Sequence, residues 1–446
     1  VSGGFGLFPE PRAVFTCHLE SPTLKVPSAT NSARGTLWTR IYSQIVAEKL
    51  YPAIVAGFSV SISKLHEGGL RFTINGYNDK LRNLLDATLD QITNLEQSPD
   101  LDSAFANQKQ QLLQDLRNSL FDPAYRQAYD FTWRMLVKGS WSPQEALQAV
   151  QDIGIEEIKT FVNDIGSELR AECLAHGNLL EDEAQDLHNT VVRRLQNGVL
   201  SDEKAETLRL QLLIAPVQDS TAQLDNTNED DDNTAIEEHF QLGSSHLKPK
   251  EDAVLTLLGD MMREPAFDTL RTKEQLGYIV FAFRRQIFAS TGLSIVVQSP
   301  LSRTGPAGAS FLKERVNAFL GGFGERISNF TEVDLQSHKD AAIGKLLKKP
   351  DSLGALTEHC FAEILNKQYM FDRKQMIAAN LGIVTVDRLR AFFDTLVCSE
   401  NSRRKITTLV SPTPAQWPVL QPPAQAIPLD SLSIWQSALP NAQVCH

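Results

Sequence analysis

The sequence predicts an α+β protein of two homologous domains, each a mixed or antiparallel sheet with helices packed on one face. Three observations lead there. At 446 residues the chain is about twice the length that one ordinary core accommodates. Stretches of period-two alternation are interleaved with stretches of helical periodicity rather than sorted into separate regions. The order strand, helix, two strands, helices, strand occurs twice along the chain. The expected domains are residues 1–205 and 206–446.

In the first half, Arg12 to Glu20 alternates as a strand does, with Ala13, Phe15 and Cys17 on one face. Ser32 to Val46 reads as a helix, since Leu37, Ile41 and Ile45 are spaced for one buried stripe. Gly57 to Ile62 and Gly69 to Gly76 read as two strands joined at Glu67-Gly68-Gly69. Asp79 to Leu95 is an amphipathic helix. Asp102 to Lys138 is helical almost throughout, with Pro123 opening a second helix because proline is tolerated in a first turn. Ser142-Pro143-Gln144-Glu145 is a capping box. Glu172 to His176 is a short strand, and Glu181 to Asn197 a helix.

The second half repeats this order. Thr234 to Leu242 is a strand, and Lys250 to Glu274 is helical with an interruption expected at Pro265. Tyr278 to Arg284 and Gly292 to Gln298 are strands. Helices follow at Phe311 to Ile327, Thr331 to Leu347, Leu353 to Leu365 and Asp387 to Val397, then a strand at Lys405 to Val410 and a proline-rich tail. Tyr51-Pro52-Ala53 corresponds to Glu264-Pro265-Ala266, and Gly69-Leu70-Arg71-Phe72 to Gly292-Leu293-Ser294-Ile295.

Composition excludes several classes. A formal net charge of -11 argues against a nucleic-acid binder, which needs a basic surface to displace counterions. No run approaches the ~20 consecutive apolar residues of a membrane span. Five scattered cysteines without CxxC spacing (Cys17, Cys173, Cys360, Cys398, Cys445) read as reduced thiols, which places the chain in an intracellular, cytosolic compartment. The chain starts at Val1 without a basic-then-apolar leader, as a fragment or processed product would. The acidic run Asn228 to Asn233 reads as a solvated turn, with a cation or basic-peptide contact as the alternative.

The nine histidines form neither HExxH nor HxxEH. Ala355-Leu356-Thr357-Glu358-His359 lacks the first histidine, and a zinc site needs two ligands on one helical turn. No GxSxG elbow, Walker loop or GxGxxG fingerprint occurs. One pair stands apart: Arg271 and Tyr278, seven residues apart across a helix-to-strand junction. An arginine fork and a phenol are donors suited to a substrate carbonyl and the oxyanion that develops on it. On physical chemistry alone, an arginine capping a helix end and a tyrosine in a sheet is the stronger account.

The segment Arg271-Thr272-Lys273-Glu274-Gln275-Leu276-Gly277-Tyr278-Ile279-Val280-Phe281 reverses that preference. It resembles the hallmark segment in the C-terminal half of the insulysin/pitrilysin zinc metallopeptidases, the inverzincins. Gly76-Tyr77-Asn78-Asp79-Lys80, His176-Gly177-Asn178, Gln298-Ser299 and Tyr369-Met370-Phe371-Asp372-Arg373 are similar to the family as well. The resemblance runs in order from near Phe8 to about Val410.

What the resemblance implies is specific. The fold would be of the metallopeptidase LuxS/MPP-like type, and residues 1–205 and 206–446 would be the third and fourth of four homologous domains. Zinc would be the cofactor, bound by the missing N-terminal half through HxxEH and a further glutamate, with no metal ligand in this chain. The two halves would close around a peptide or unfolded polypeptide. Tyr278 would donate to the oxyanion and Arg271 would position the substrate backbone. Lys345, Lys348 and Lys349 would be a polyanion contact, although Pro350 departs from the family pattern and a solvated helix end is the competing account. Alone, the chain is expected to bind no zinc and cleave nothing. The alternative is a stand-alone non-catalytic subunit or pseudoenzyme that binds peptides or a zinc-bearing partner chain.

Overall fold

The computed structural model describes residues 10–66, 68–208, 212–243, 247–305, 308–412 and the backbone of 425–427. In chain order the principal elements begin with β1 (Arg12–Glu20), α1 (Ala29–Lys49), β2 (Ser59–Leu65), β3 (Gly69–Tyr77), α2 (Asn78–Thr93) and α3 (Leu101–Ser119). Next come α4 (Ala124–Leu136), α5 (Pro143–Asp152), α6 (Ile155–Gly166), β4 (Arg170–Gly177) and α7 (Glu181–Leu195). The second series has β5 (Asp219–Asp225), β6 (Asn233–Gly243), α8 (Pro249–Ala266), β7 (Ile279–Ile287), β8 (Ser290–Pro300) and α9 (Gly308–Ser328). It ends with α10 (Glu332–Leu346), α11 (Leu353–Leu365), α12 (Arg373–Gly382), α13 (Val386–Phe393), β9 (Lys405–Ser411) and β10 (Gln425–Ile427). The expected turn residue Glu67 and most of the proline-rich tail lie outside the described residues.

The chain forms two compact units, each assembled from three segments: Val1–Ser119, Gly139–Leu210 and Lys349–Phe371 in the first, Leu120–Lys138, Gln211–Lys348 and Asp372–His446 in the second. A single cut after residue 205 separates most of the two sequences, but α11 packs with the first unit and α4 with the second.

In the first unit the sheet order is β2-β3-β1-β4, antiparallel throughout. Alternation along β1 sends Ala13, Phe15, Cys17 and Leu19 into the helix layer, where Leu37, Trp38, Ile41 and Tyr42 of α1 meet them. Trp38 stacks on Tyr42 with ring centroids 5.2 Å apart. The opposite face of β1 is also buried, under α11: Arg71 of β3 donates to Glu358 at 2.7 Å, and His176 of β4 meets the Thr357 hydroxyl at 2.9 Å.

Register corrects one expectation about the cysteines. β1 and β4 place Cys17 directly opposite Cys173, with Cα atoms 4.0 Å apart, and the two sulfurs are bonded. The pair is separated by 156 residues, so no CxxC-like spacing announces it. Cys360 and Cys398 are free.

The second unit repeats the order as β7-β8-β6-β9, extended by β5 and β10, which pair in parallel. Leu19 lies opposite Leu70 in the first sheet and Phe240 opposite Leu293 in the second, which puts His18 and His239 at equivalent positions. Both are buried. Ile236 and Phe240 face a core built with Leu255, Leu258 and Met262 of α8. On the other face, under α4, Arg285 of β7 is ion-paired with Glu237 of β6, lies 3.6 Å from the Tyr129 ring and donates to the Tyr129 carbonyl at 2.8 Å. Among the described residues no helix is long and apolar enough to cross a membrane.

Candidate functional site

Helix α8 carries Pro265 one residue before its end. The α-helix runs through that proline rather than breaking there, and then widens into a π turn over Phe267–Lys273. In the last turn a proline has little helix left to disrupt, because only the carbonyl four residues back is crowded. The Glu274 N–H reaches the Thr269 carbonyl at 2.9 Å, the five-residue spacing of a π turn, and the Leu276 N–H reaches Leu270 at 3.0 Å. Between them Gln275 takes a left-handed conformation at φ 52°. A six-residue bond over a left-handed residue, with Leu270 and Leu276 both in the core, is a Schellman-type cap. Filling that position with a residue other than glycine costs about 1–2 kcal/mol.

Side chains clamp this turn. Arg315 of α9 grips the Glu274 carboxylate through two hydrogen bonds of 2.7 and 2.8 Å. Arg303 donates to the Gln275 side chain at 3.1 Å, and the Ser299 hydroxyl donates to the Leu276 carbonyl. Gly277 passes against the β8 backbone with no room for a side chain. The next residue, Tyr278, therefore emerges at a fixed point at the start of β7.

The turn brings the two predicted residues together. The Arg271 guanidinium lies 5.7 Å from the Tyr278 ring centroid and 4.5 Å from that of Phe267. Tyr278 is 86% exposed, although it precedes a strand that buries Val280, Ala282 and Ile287. An aromatic residue this exposed contributes little to a core, so its phenol is available to a ligand. Arg271 contributes up to five donors in a planar fork, beside a single phenol donor. Together they can hold a carbonyl and the negative charge that grows on it. Phe267 and Gly277 belong to the same construction. Phe267 stands four residues before Arg271, a helical spacing that marks it in the sequence, whereas the crowding at Gly277 is set by β8 and has no local signal.

The remaining sequence candidates are placed elsewhere. Lys345 is exposed on the last turn of α10 and pairs with Asp260 at 3.0 Å. It lines a cavity of about 220 Å³ with Leu257, Asp260, Met261, His338, Ala341 and Ala342. Lys348 and Lys349 follow the end of that helix and are exposed. In the acidic loop, Asp231 accepts from the Ala124 N–H at 3.3 Å and from the Asn233 N–H at 3.0 Å, so it caps α4 and closes its own turn. Among the described residues no three His, Cys, Asp or Glu side chains are grouped as a metal ion requires. The zinc of the resembled family thus has no fitting donor set among them.

The fold and site together define a class: a duplicated α+β architecture with a half-buried Arg271 beside an exposed Tyr278 at the start of an edge strand. Comparison with known proteins supports that class. Residues 7–149 match the family model described as the middle or third domain of peptidase M16, and residues 257–361 match that of the PQQ synthase PqqF-like C-terminal lobe domain 4. The A-factor-processing enzyme of Saccharomyces cerevisiae is 28% identical over 390 residues, 86% of this chain and 36% of that protein. Insulin-degrading enzyme of Homo sapiens is 27% identical over 372 residues, 82% of this chain and 35% of that protein. The crystal structure of pitrilysin superposes with a TM-score of 0.83 at 21% identity, over 97% of this chain and 44% of that one. Over most of its length the chain is thus similar to the M16 (insulysin/pitrilysin) peptidases. It spans just over a third of the length of the curated relatives it matches.

Proposed function

We propose that this chain is the non-zinc-binding C-terminal half of an insulysin/pitrilysin-like zinc metalloendopeptidase. Residues 1–205 serve as its third domain and 206–446 as its fourth. Its substrates are peptides or unfolded polypeptides, held in a closed chamber whose zinc belongs to the N-terminal half. Within that chamber Tyr278 donates to the oxyanion and Arg271 positions the peptide backbone. The observation that carries this reading is the clamped turn that presents an exposed Tyr278 beside Arg271.

The test is Tyr278→Phe in the complete enzyme, which removes one hydroxyl from an exposed ring. Loss of an oxyanion donor lowers kcat about 10²–10³-fold. With KM and the thermal midpoint unchanged, that result supports the assigned role, and an unchanged kcat overturns it. Lys345, Lys348 and Lys349 are proposed as a secondary polyanion contact. Inorganic triphosphate should bind the chain and lose affinity when all three are alanine. Equal affinity would leave them as a solvated helix end.

A further inference from the structure

Strand β7 closes one side of the second sheet: among the described residues nothing pairs with its outer edge. It is nine residues long, contains no proline, keeps an uninterrupted register against β8, and carries its charges only at Arg284 and Arg285. Bulges, prolines and lysines are the usual devices that keep an open edge from recruiting another strand. The equivalent edge of the first unit, β2, differs. It reads Ser59-Val60-Ser61-Ile62-Ser63-Lys64-Leu65, shorter, polar at alternate positions and carrying a lysine. The leading part of β7, Ile279–Phe283, is apolar and uncharged, with Arg284 and Arg285 only beyond it, whereas β2 is polar at alternate positions along its length, in two sheets of the same strand order.

The side chains along β7 add a second observation. Phe281 and Phe283 point to the same face as Arg285, the face covered by α4. Tyr125, Tyr129 and Trp133 recur every four residues along α4. They meet Phe281, Phe283 and Phe288 with centroids 6.3, 6.3 and 4.8 Å apart. The rungs are not sealed: Phe281 is 47% and Tyr129 39% exposed. A row of half-exposed aromatics beside an unpaired strand edge is a surface that a solvated protein covers. The row begins three residues after Tyr278.

We propose that β7 takes up an extended peptide as an added strand, with apolar side chains at every second position seated on the Tyr125–Phe281 and Tyr129–Phe283 rungs. Main-chain hydrogen bonds give the affinity and the aromatic rungs select the side chains. A peptide seated there runs directly past Tyr278 and Arg271. The proposal deepens the reading of those residues as substrate contacts, and rests on it for the claim that the docked peptide is substrate. The occupant is an extended peptide rather than a folded partner, because a bare strand edge offers recognition only to another strand.

The experiment uses the 446-residue chain and a fluorescein-labelled peptide of about 10 residues, with Phe at alternate positions. Binding should slow amide hydrogen exchange across 279–287 and leave 59–65 unchanged. N-methylation of every second peptide amide should weaken binding at least tenfold in one parity and little in the other, since only one set faces β7. Phe281→Ser should weaken it at least tenfold. Exchange protection confined to other segments, equal sensitivity to both parities, or protection of 279–287 that rises with protein concentration without peptide would each overturn the proposal, the last by showing a second copy on the edge. The two readings fail separately. If Tyr278→Phe and Arg271→Ala abolish turnover while N-methylation has no effect, only the docking edge is wrong. If docking holds while those variants turn over normally, only their catalytic assignment is wrong.

Discussion

Gly277 lies so close to Gln298 that a β-carbon on it would overlap the Gln298 backbone carbonyl. That contact couples the turn after α8 to strand β8 and fixes where Tyr278 leaves the sheet. Gly277→Ala must push the two backbones apart. Overpacking of this kind costs about 1–3 kcal/mol. The expected outcome is a lower urea midpoint together with a loss of turnover in the complete enzyme larger than the stability loss explains. A variant as stable and as active as the parent would show that the turn position is not critical.

Arg271→Lys keeps the positive charge and removes the planar fork that lies between Phe267 and Tyr278. A point charge cannot hold a peptide carbonyl in two-point contact. KM should rise about tenfold or more, the loss of roughly 1.4 kcal/mol of substrate binding, with kcat falling less. Steady-state kinetics across peptide concentrations separate the two. A kcat loss at unchanged KM would move Arg271 from positioning to charge stabilisation.

Arg285 and Glu237 are fully buried and ion-paired. Removing one partner strands the other's charge in the interior, at about 3–5 kcal/mol, whereas replacing both with apolar residues of similar volume is often neutral. Glu237→Leu should therefore destabilise strongly by chemical denaturation, and adding Arg285→Met should restore much of the loss. A double variant no better than the single one would mean that the Arg285 contacts to Tyr129 carry the stability instead.

Acid should weaken the first unit over a defined window. Burial lowers the His18 pKa from its ordinary 6.5 to about 4, partly opposed by Glu20 and assisted by Lys367 and Lys25, with Glu172 opposing. Burial by itself would raise the Glu20 pKa, but His18, Lys25 and Lys367 outweigh it and bring the carboxyl from 4.5 to about 2. Arg170 also reaches Glu20, at 3.2 Å. Below pH 6.5 the unfolded chain protonates His18 while the folded chain does not, so stability falls as pH drops towards 4. Glu20 adds a second loss as pH falls from 4.5 towards 2, because its folded form resists the proton that the unfolded form accepts. Each group contributes a limiting slope of about 1.4 kcal/mol per pH unit inside its window. Denaturation midpoints for His18→Gln should lose part of the pH dependence between 6.5 and 4, with His176 and His239, which burial also lowers, supplying the rest, and the lower loss should shrink because His18 helps to hold Glu20 down. A profile unchanged by that substitution would remove His18 as its source.

Much of the local structure is legible in the sequence because it is decided by neighbours. Alternation marks β1 to the residue, and α11 forms at the expected Leu353–Leu365, where the structure adds a Ser352 cap. The Ser142–Glu145 box forms as its spacing predicts, and Thr331 with Asp334 closes a like box at the start of α10. What escapes the reading lacks a local pattern. Strand β5 is Asp-Ser-Thr-Ala-Gln-Leu-Asp, polar enough to pass for a loop, and it becomes a strand because β9 lies beside it in parallel. Helices α6 and α12 go unread as well, the latter with most of its residues exposed or half-exposed.

At the candidate site the division is sharper. Arg271 and Tyr278 are recognisable from their segment, but not the widened turn, the left-handed Gln275 or the Arg315 clamp that bring them together. Those depend on side chains tens of residues away.

The sequence by itself determined the α+β class and the twofold repeat of elements, because periodicity and capping act over a few residues, and its resemblance to a family singled out Arg271 and Tyr278 as candidates. Only the tertiary structure decided that α4 joins the second unit and α11 the first, that Cys17 meets Cys173, and that Tyr278 stands exposed at the head of an open aromatic edge. Each of those depends on which distant surfaces find one another as apolar area is buried, and no short window of residues records that choice.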